Sequence, residues 1–278
     1  SSRGTDTVAM PQVFGMWRMP LFRNYGTTTH LVEPIVQVIA APNAASNHHP
    51  NEDSLDLEFT DANLFSLNRY PGRDMLESGV RMNYGLRNTL FLQGGGSLEA
   101  MLGQSLRARK DNTYDPNSGL ASRASDIVGR LSAQVTPWLG VAYRMRSAND
   151  QLRQTFSDVS ARVGTTQAAV TASYILIPPS QAGNRPSQRE EVGAVASVSG
   201  LPDTRLEHWR GIAGAYYDLE QSTFVSTVFG AAYEDECFIF NVRYLRSYTN
   251  PALNAAGGTT LLFQLTFKTV GDVGFSAF

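Results

Sequence analysis

Stretches of strict two-residue alternation between large apolar and polar side chains constrain this chain more than any other feature. The clearest stretch lies near the C-terminus. There Leu261, Phe263, Leu265 and Phe267 alternate with Thr260, Gln264, Thr266 and Lys268. Just upstream, Phe238, Phe240, Val242 and Tyr244 alternate with Ile239, Asn241 and Arg243. A period of two places each set on its own face of a β-strand. In the final run one face is wholly apolar and the other carries mostly hydroxyl, amide and ammonium groups. A strand between lipid and a wet interior has that pattern, and so does a half-buried strand of a soluble antiparallel sheet.

The same rhythm recurs along the chain. Strand-like runs fall at Gln12–Leu21, Thr29–Ala41, Val80–Gln93, Leu98–Arg109, Asp126–Val135 and Trp138–Arg146, then at Leu152–Val163, Ala168–Ile177, Glu190–Ser199, Arg205–Leu219 and Thr223–Tyr233. With the final two this makes about thirteen strands, most near the ten residues that cross a bilayer at a tilt. Tight connections such as Thr136-Pro137, Gly164–Gln167, Gly200–Asp203 and Glu234–Glu236 alternate with longer ones, including Pro42–Gly79, Lys110–Ser125, Pro178–Arg189 and Asn250–Gly258. Ser147–Asp150 and Glu220–Ser222 belong to the longer set by position but are short. Short turns at one end and long loops at the other match the outer-membrane barrel arrangement. The small residues Gly129, Ala133, Gly193, Ala194, Ala196, Gly211, Ala213, Gly214 and Ala215 are tolerated in a large continuous sheet. Trp17, Tyr70, Trp138, Tyr174, Trp209, Tyr216, Tyr217 and Tyr248 stand near strand ends. They fit an interfacial girdle, or simply the β-propensity of aromatic residues.

Composition narrows the choice. Charged residues make up 17% and hydrophobic residues 42% of the 278 positions, so charge is sparse without any excess of apolar residues. There is no apolar run of the 18 or so residues that a transmembrane helix needs. A closed β-barrel needs none, because its backbone groups pair between strands. A net charge of -2 gives no case for nucleic-acid binding. The polar opening SSRGTDTVAM reads as a fragment or a processed chain. Cys237, the single cysteine, reads as a free thiol or as pairing outside this segment.

Two stretches carry a family likeness. One is Asn63-Leu64-Phe65-Ser66-Leu67-Asn68-Arg69-Tyr70-Pro71-Gly72-Arg73-Asp74, running through Glu77 and Gly79 into Val80–Leu86. The other is Tyr233-Glu234-Asp235-Glu236-Cys237. With them the chain resembles the C-terminal part of the lipopolysaccharide-assembly outer-membrane protein, the LptD family. Met75 stands where family members often have arginine, and Glu236 stands where many have the first of two adjacent cysteines.

The resemblance implies an all-β, antiparallel transmembrane β-barrel portion, about thirteen strands of a barrel of about 26. Residues 1–278 would be the C-terminal part of that barrel, with a periplasmic jelly-roll domain and the first strands elsewhere. It implies no enzyme and no cofactor. It implies delivery of lipopolysaccharide to the outer leaflet through a lateral gate that includes the last strand, here Thr260, Leu261, Leu262, Phe263, Gln264, Leu265, Thr266 and Phe267. Leu64, Phe65, Arg69, Tyr70, Gly72 and Asp74 would form an extracellular loop motif. Cys237 would be disulfide-bonded to the absent N-terminal region. An LptE-type lipoprotein plug and a periplasmic LptA-type bridge would be partners.

Other constellations weigh less. Arg81, Arg87, Arg107, Arg109, Arg130, Arg144, Arg146, Arg162 and Arg243 sit on the polar parity of their strands. They suit phosphate binding or, as the preferred reading, lumen solvation and pairing with acids. Asp61, Arg69, Arg73 and Asp74 could form a salt-bridged cap over the lumen. His48-His49-Pro50-Asn51-Glu52-Asp53 reads as a solvated loop rather than a metal site, and His30 and His208 lack spaced partners. No nucleophile-elbow, P-loop or C-x-x-C motif occurs, and Gly94-Gly95-Gly96 is a turn. Phe278 resembles the aromatic ending of many outer-membrane barrels. A general outer-membrane porin or receptor remains the alternative, ahead of a soluble β-sandwich, an adhesin or a barrel hydrolase.

Overall fold

A computed structural model describes residues 11–42, 58–70, 76–110, 114–179, 188–200, 204–248, 257–268 and, by backbone alone, 271–277. The chain is all-β. Its strands are β1 (Val13–Arg18), β2 (Leu21–Asn24), β3 (Thr29–Ala40), β4 (Val80–Phe91), β5 (Ser97–Arg107), β6 (Ile127–Thr136), β7 (Leu139–Ser147) and β8 (Gln154–Gly164). There follow β9 (Ala168–Ile177), β10 (Arg189–Ser199), β11 (Trp209–Asp218), β12 (Thr223–Glu234), β13 (Phe238–Ser247), β14 (Gly258–Phe267) and β15 (Gly271–Ala277). They make one sheet in which chain order is spatial order, with β2 pairing beside β1 on β3. Every strand pair whose register is defined is antiparallel. No described helix is long and apolar enough to cross a membrane.

Three details depart from the sequence reading. The run Gln12–Leu21 is not one strand. Pro20 has no N–H to donate, and the ladder breaks there into β1 and β2. Pro34 lies on the facing strand at the break, so Met19 N–H to the Pro34 carbonyl, at 3.3 Å, is the bond that spans it. At the other end, β14 is not the final strand. β15 follows and pairs with it from Phe267↔Gly271 to Leu261↔Ala277. In addition, β11 starts at Trp209, four residues later than the alternation in Arg205–Leu219 suggests.

The chain divides into two compact units. The first comprises Ser1–Ser132, Tyr143–Ser157 and Pro178–Ser187. In it, register places Ile39, Arg81 and Arg107 side by side on one face, with Gln37, Asn83 and Ser105 in the next row. All six are buried. What buries them is chain: residues 58–70 and 76–79, between β3 and β4, and 114–126, between β5 and β6. Phe59, Leu64, Tyr114 and Leu120 from those loops join Met101 and Val128 from the strands in one apolar cluster, flanked by Phe65 and Tyr70. Each fully buried side chain of this size contributes roughly 1.5–3 kcal/mol. Gly85 and Gly103 face each other beneath the loop. A Cβ on Gly103 would run into Leu64 Cδ2, and one on Gly85 would lie 3.3 Å from Phe65 Cζ. The opposite face of the same strands leaves Val38, Val80, Met82, Leu86, Leu98 and Leu102 exposed.

The second unit comprises Ala133–Ala142, Asp158–Ile177 and Gln188–Phe278. Register confirms the alternation read from sequence. Phe240↔Leu265, Val242↔Phe263 and Tyr244↔Leu261 share one face, and Asn241↔Gln264 lie on the other. The apolar face continues through Tyr233, Ala231 and Phe229 on β12. Aromatic contacts gather at two levels along it. Trp209 and Tyr233 meet at 5.3 Å at the end of β12 that leads into the Cys237 turn, and Tyr217 and Phe224 meet at 5.3 Å at the other end, beside the turn between β11 and β12. These four fit an interfacial pair of belts. Tyr216, by contrast, points to the other face, and Tyr70 belongs to the loop of the first unit. Among the described residues of this unit only Ala169, Ile177, Glu191 and Asp218 are fully buried.

Candidate functional site

The loop over β3–β5 has neither helix nor strand to pair its own carbonyls, yet it is buried. Buried carbonyls need donors. Asn63 supplies a local turn: its Oδ1 accepts the Thr60 N–H at 3.0 Å and its Nδ2 donates to the Glu58 carbonyl at 2.9 Å. The Ser66 N–H donates to the Asn63 carbonyl at 3.1 Å, and long polar side chains supply further donors. Arg69 donates from Nε to the Asn63 carbonyl (3.3 Å) and from Nη2 to the Leu64 carbonyl (3.0 Å). Arg81 Nη2 donates to the Leu67 carbonyl, and Gln37 Nε2 to the Phe65 carbonyl at 3.0 Å. Arg146, from β7, reaches the carbonyls of Phe59 (3.4 Å), Ser118 (3.1 Å) and Asn117 (3.0 Å), and so ties the two covering loops together. A guanidinium offers five donors in a fixed plane, which suits several carbonyls at once.

Glu77 is the hub. Its side chain is fully buried and meets Arg69 Nη1 at 3.2 Å, Arg81 Nη2 at 3.3 Å and Arg107 Nη2. Arg107 also stacks 4.5 Å over the Tyr114 ring and donates to its hydroxyl, and Tyr114 stacks on Tyr70 at 5.1 Å. Beneath them Ser105 Oγ donates to Asn83 Oδ1 (2.7 Å) and Asn83 Nδ2 donates to Gln37 Oε1 (2.7 Å). Burial pulls the Arg69 guanidinium down to about 10, against the pull of Glu77, and pushes the Tyr114 phenol up. A second lock joins Arg146 to Glu58 (2.6 Å) and Asp126 (3.4 Å). Burial raises the Asp126 and Asp61 carboxyls from their ordinary value, and Arg146 and Arg144 respectively oppose it.

On the same face a line of alternating charges crosses the strands. Arg18 meets Glu33 at 3.4 Å, Glu33 meets Arg87 at 3.2 Å, Arg87 meets Glu99 at 4.0 Å, Glu99 meets Arg130 at 3.2 Å, and Arg130 meets Asp61 at 3.9 Å. The strands β1, β3, β4, β5 and β6 supply one member each, and the loop closes the line with Asp61. Most members are partly exposed, so the line orients the polar face more than it stabilises the fold.

Leu64, Phe65, Arg69 and Tyr70 therefore converge on one assembly, whereas Gly72, Arg73, Asp74 and the His48–Asp53 stretch lie outside the described residues, as does Phe278. Of the strand arginines, Arg81, Arg107 and Arg146 are buried in the network, Arg87 and Arg130 join the charge line, and Arg109 and Arg243 are exposed. Arg162 donates to the Thr165 carbonyl at 3.3 Å. The preferred pairing reading of these arginines fits the first five. Sequence reasoning did not single out Glu77 as the hub, nor Tyr114 or Asp126. The signal available was a glutamate set among Arg69, Arg73 and Arg81. Among the described residues no cluster of His, Cys, Asp and Glu could hold a metal.

Cys237 is an exposed free thiol in the turn between β12 and β13. Asp235 Oδ1 accepts the N–H groups of Cys237 (2.8 Å) and Phe238 (2.9 Å), bonds that hold the Asp235 carboxyl below its ordinary value, with Phe238 contributing most. Glu234 beside it pairs with Arg210 and, at 3.1 Å, with Lys268. Thr260–Phe267 all lie in β14, bonded to β13 on one side and β15 on the other.

Comparison with known proteins adds three kinds of likeness. The family model described as LPS transport system D, LptD, matches residues 1–200. Curated LPS-assembly proteins LptD are similar: 25% identity for that of Acidovorax sp. (strain JS42), covering 82% of this chain and 28% of the relative, and 24% for that of Acinetobacter baylyi, covering 98% and 33%. That of Aeromonas salmonicida is 23% identical, covering 90% and 31%. The chain thus spans about a third of the length of these relatives. Among solved structures, a mutant Rh. blastica porin aligns with 97% of this chain and 100% of its own at a TM-score of 0.41 and 9% identity.

Proposed function

The chain belongs to the LPS transport system D family, and on that premise we propose that it is the C-terminal part of an outer-membrane β-barrel that assembles lipopolysaccharide into the outer leaflet. The observation that carries the reading is the family match together with strands of nine to twelve residues, from β3 to β14, that show an apolar face along their length. Such strands suit a bilayer on one side and a polar interior on the other. The family is named for transport, and the chemistry needed is passage, not bond-making.

The finer parts of the proposal concern the chain's end and its partners. β14, with Thr260–Phe267, and β15 form the C-terminal side of a lateral gate through which acyl chains leave without being wetted. A seam opens more easily where a strand contributes few ladder bonds. β15 pairs over seven residues, against ten for β13 with β14, which supports placing the opening beside it. Exposed Cys237 bonds a cysteine in the N-terminal region of the whole protein. A lipoprotein of LptE type and a periplasmic bridge of LptA type are the partners. The loop over β3–β5, anchored by buried arginines, speaks against the alternative of an open diffusion pore.

The test replaces residues 258–277 in the full-length protein with a flexible segment, in cells depleted of the native copy. Loss of lipopolysaccharide from the cell surface with the protein still present supports the proposal. Unchanged surface lipopolysaccharide and growth refute it. Cys237→Ser with unaltered mobility on non-reducing gels removes the disulfide from it.

A further inference from the structure

Three guanidinium groups lean on the single carboxylate of Glu77, and they do not share it equally. Arg69 meets protein acceptors with all three of its nitrogens: Nε with Asn63, Nη1 with Glu77, Nη2 with Leu64, Asn83 and Ser105. Arg81 differs. It is 1% exposed, and only its Nη2 is engaged, by the Leu67 carbonyl and Glu77. Its Nε and Nη1 are buried without a partner. A buried cationic N–H left unmet costs more than a neutral one, because the charge has lost its hydration as well. Glu77 cannot neutralise Arg69 and Arg81 together, since one carboxylate carries one charge.

We propose that the covering loop of the first unit closes around a small monovalent anion of the halide class, held by the unpartnered N–H groups of Arg81. A water would satisfy the hydrogen bonding but would add no negative charge beside the guanidinium groups that share Glu77. An anion does both, and in a poorly polarisable interior the second part dominates. The anion is small because Arg81 is sealed beneath the loop. It is monovalent because Glu77 already stands beside Arg81, and a doubly charged oxyanion would be repelled by it. The site is structural and makes no use of the lipid cargo, so it stands apart from the transport proposal.

The experiment uses the full-length protein in detergent. Its thermal unfolding is followed in sodium chloride, sodium bromide and sodium methanesulfonate at equal ionic strength, and crystals grown from bromide are measured for anomalous scattering. A ligand that binds the folded state raises the midpoint as its concentration rises. The expected result is a midpoint that climbs with halide and not with methanesulfonate, and a bromide peak against Arg81. Arg81→Met abolishes the halide response, while Arg87→Met, in the partly exposed charge line, keeps it. Coincident curves in all three salts overturn the proposal, as does density at Arg81 with no anomalous signal. If Arg81→Met does not fold, the salt series on the unaltered protein and the bromide peak decide the matter.

Discussion

The two units are made of the same kind of strand and end in opposite conditions. In the first, the polar face of β3–β5 lies under chain, and arginine, glutamate, asparagine and serine are buried there together. In the second, the corresponding face of β10–β14 leaves Asn241, Gln264 and Thr266 at least partly accessible, and few residues are fully buried. Alternation alone does not produce this difference. It comes from the loops: the first unit has long connections that fold back, with apolar anchors such as Phe59, Leu64 and Leu120 to hold them down. A strand of the first unit is thus a wall of a packed interior, whereas a strand of the second depends on its neighbours in the ladder and on what lies outside its apolar face.

The contrast breaks most decisively at Glu77. Glu77→Gln removes the carboxylate that three buried guanidinium groups share, and breaking such a buried pair costs about 3–5 kcal/mol. The expected readout is a clear fall in unfolding midpoint with new protease cleavage within residues 58–79, and a midpoint within error of the parent would show that the cover is not held by charge. Arg146→Met comes next. It strands three loop carbonyls together with Glu58 and Asp126, for a loss of about 2–4 kcal/mol. Hydrogen exchange should rise in both covering loops together, and a rise in only one would disprove the shared tie.

Smaller effects sharpen the same comparison. Arg87→Met, in the partly exposed charge line, is expected to shift stability by less than about 1 kcal/mol, and a loss as large as that of Arg146→Met would put the line among the buried locks. The smallest effect belongs to the second unit and depends on pH. The Asp235 carboxyl is held below its ordinary value by the N–H groups of Phe238 and Cys237. Its contribution is therefore present above the unfolded value near 3.8 and is lost as pH falls through the lower folded value. The Cys237 and Phe238 amides should exchange faster in that acid window, measured by mass spectrometry against neutral controls. Asp235→Asn should flatten the difference, and an unchanged profile in the variant would sink the assignment.

Most of the strand plan was legible because a period of two is a local signal. The pairing of Phe240 with Leu265 and of Val242 with Phe263 follows from it directly. Two errors had local causes. The alternation ran through Pro20 and concealed the missing donor, and β15, with Gly271 and Gly274 in seven residues, has too few apolar side chains to announce itself. The covered site was half legible. The Asn63–Asp74 stretch drew notice for its motif, and Asp61 and Arg69 are ion-paired, but to Arg130 and Glu77 rather than to each other, with Arg73 and Asp74 outside the described residues. The hub at Glu77 and the reach of Arg107 and Arg146 were not visible, because they join residues up to 88 positions apart through contacts that no spacing encodes.

The facing pair Gly85 and Gly103 sets a height. With hydrogens where other residues carry carbon, the sheet there is one atom lower than its surroundings, and Leu64 and Phe65 settle into that dip. An arginine side chain has a limited reach, so Arg81 and Arg146 meet the Leu67 and Phe59 carbonyls only while the loop rests near that level. A single methyl added at either position would therefore act far from itself, lifting the whole roof off the fingers that grip it.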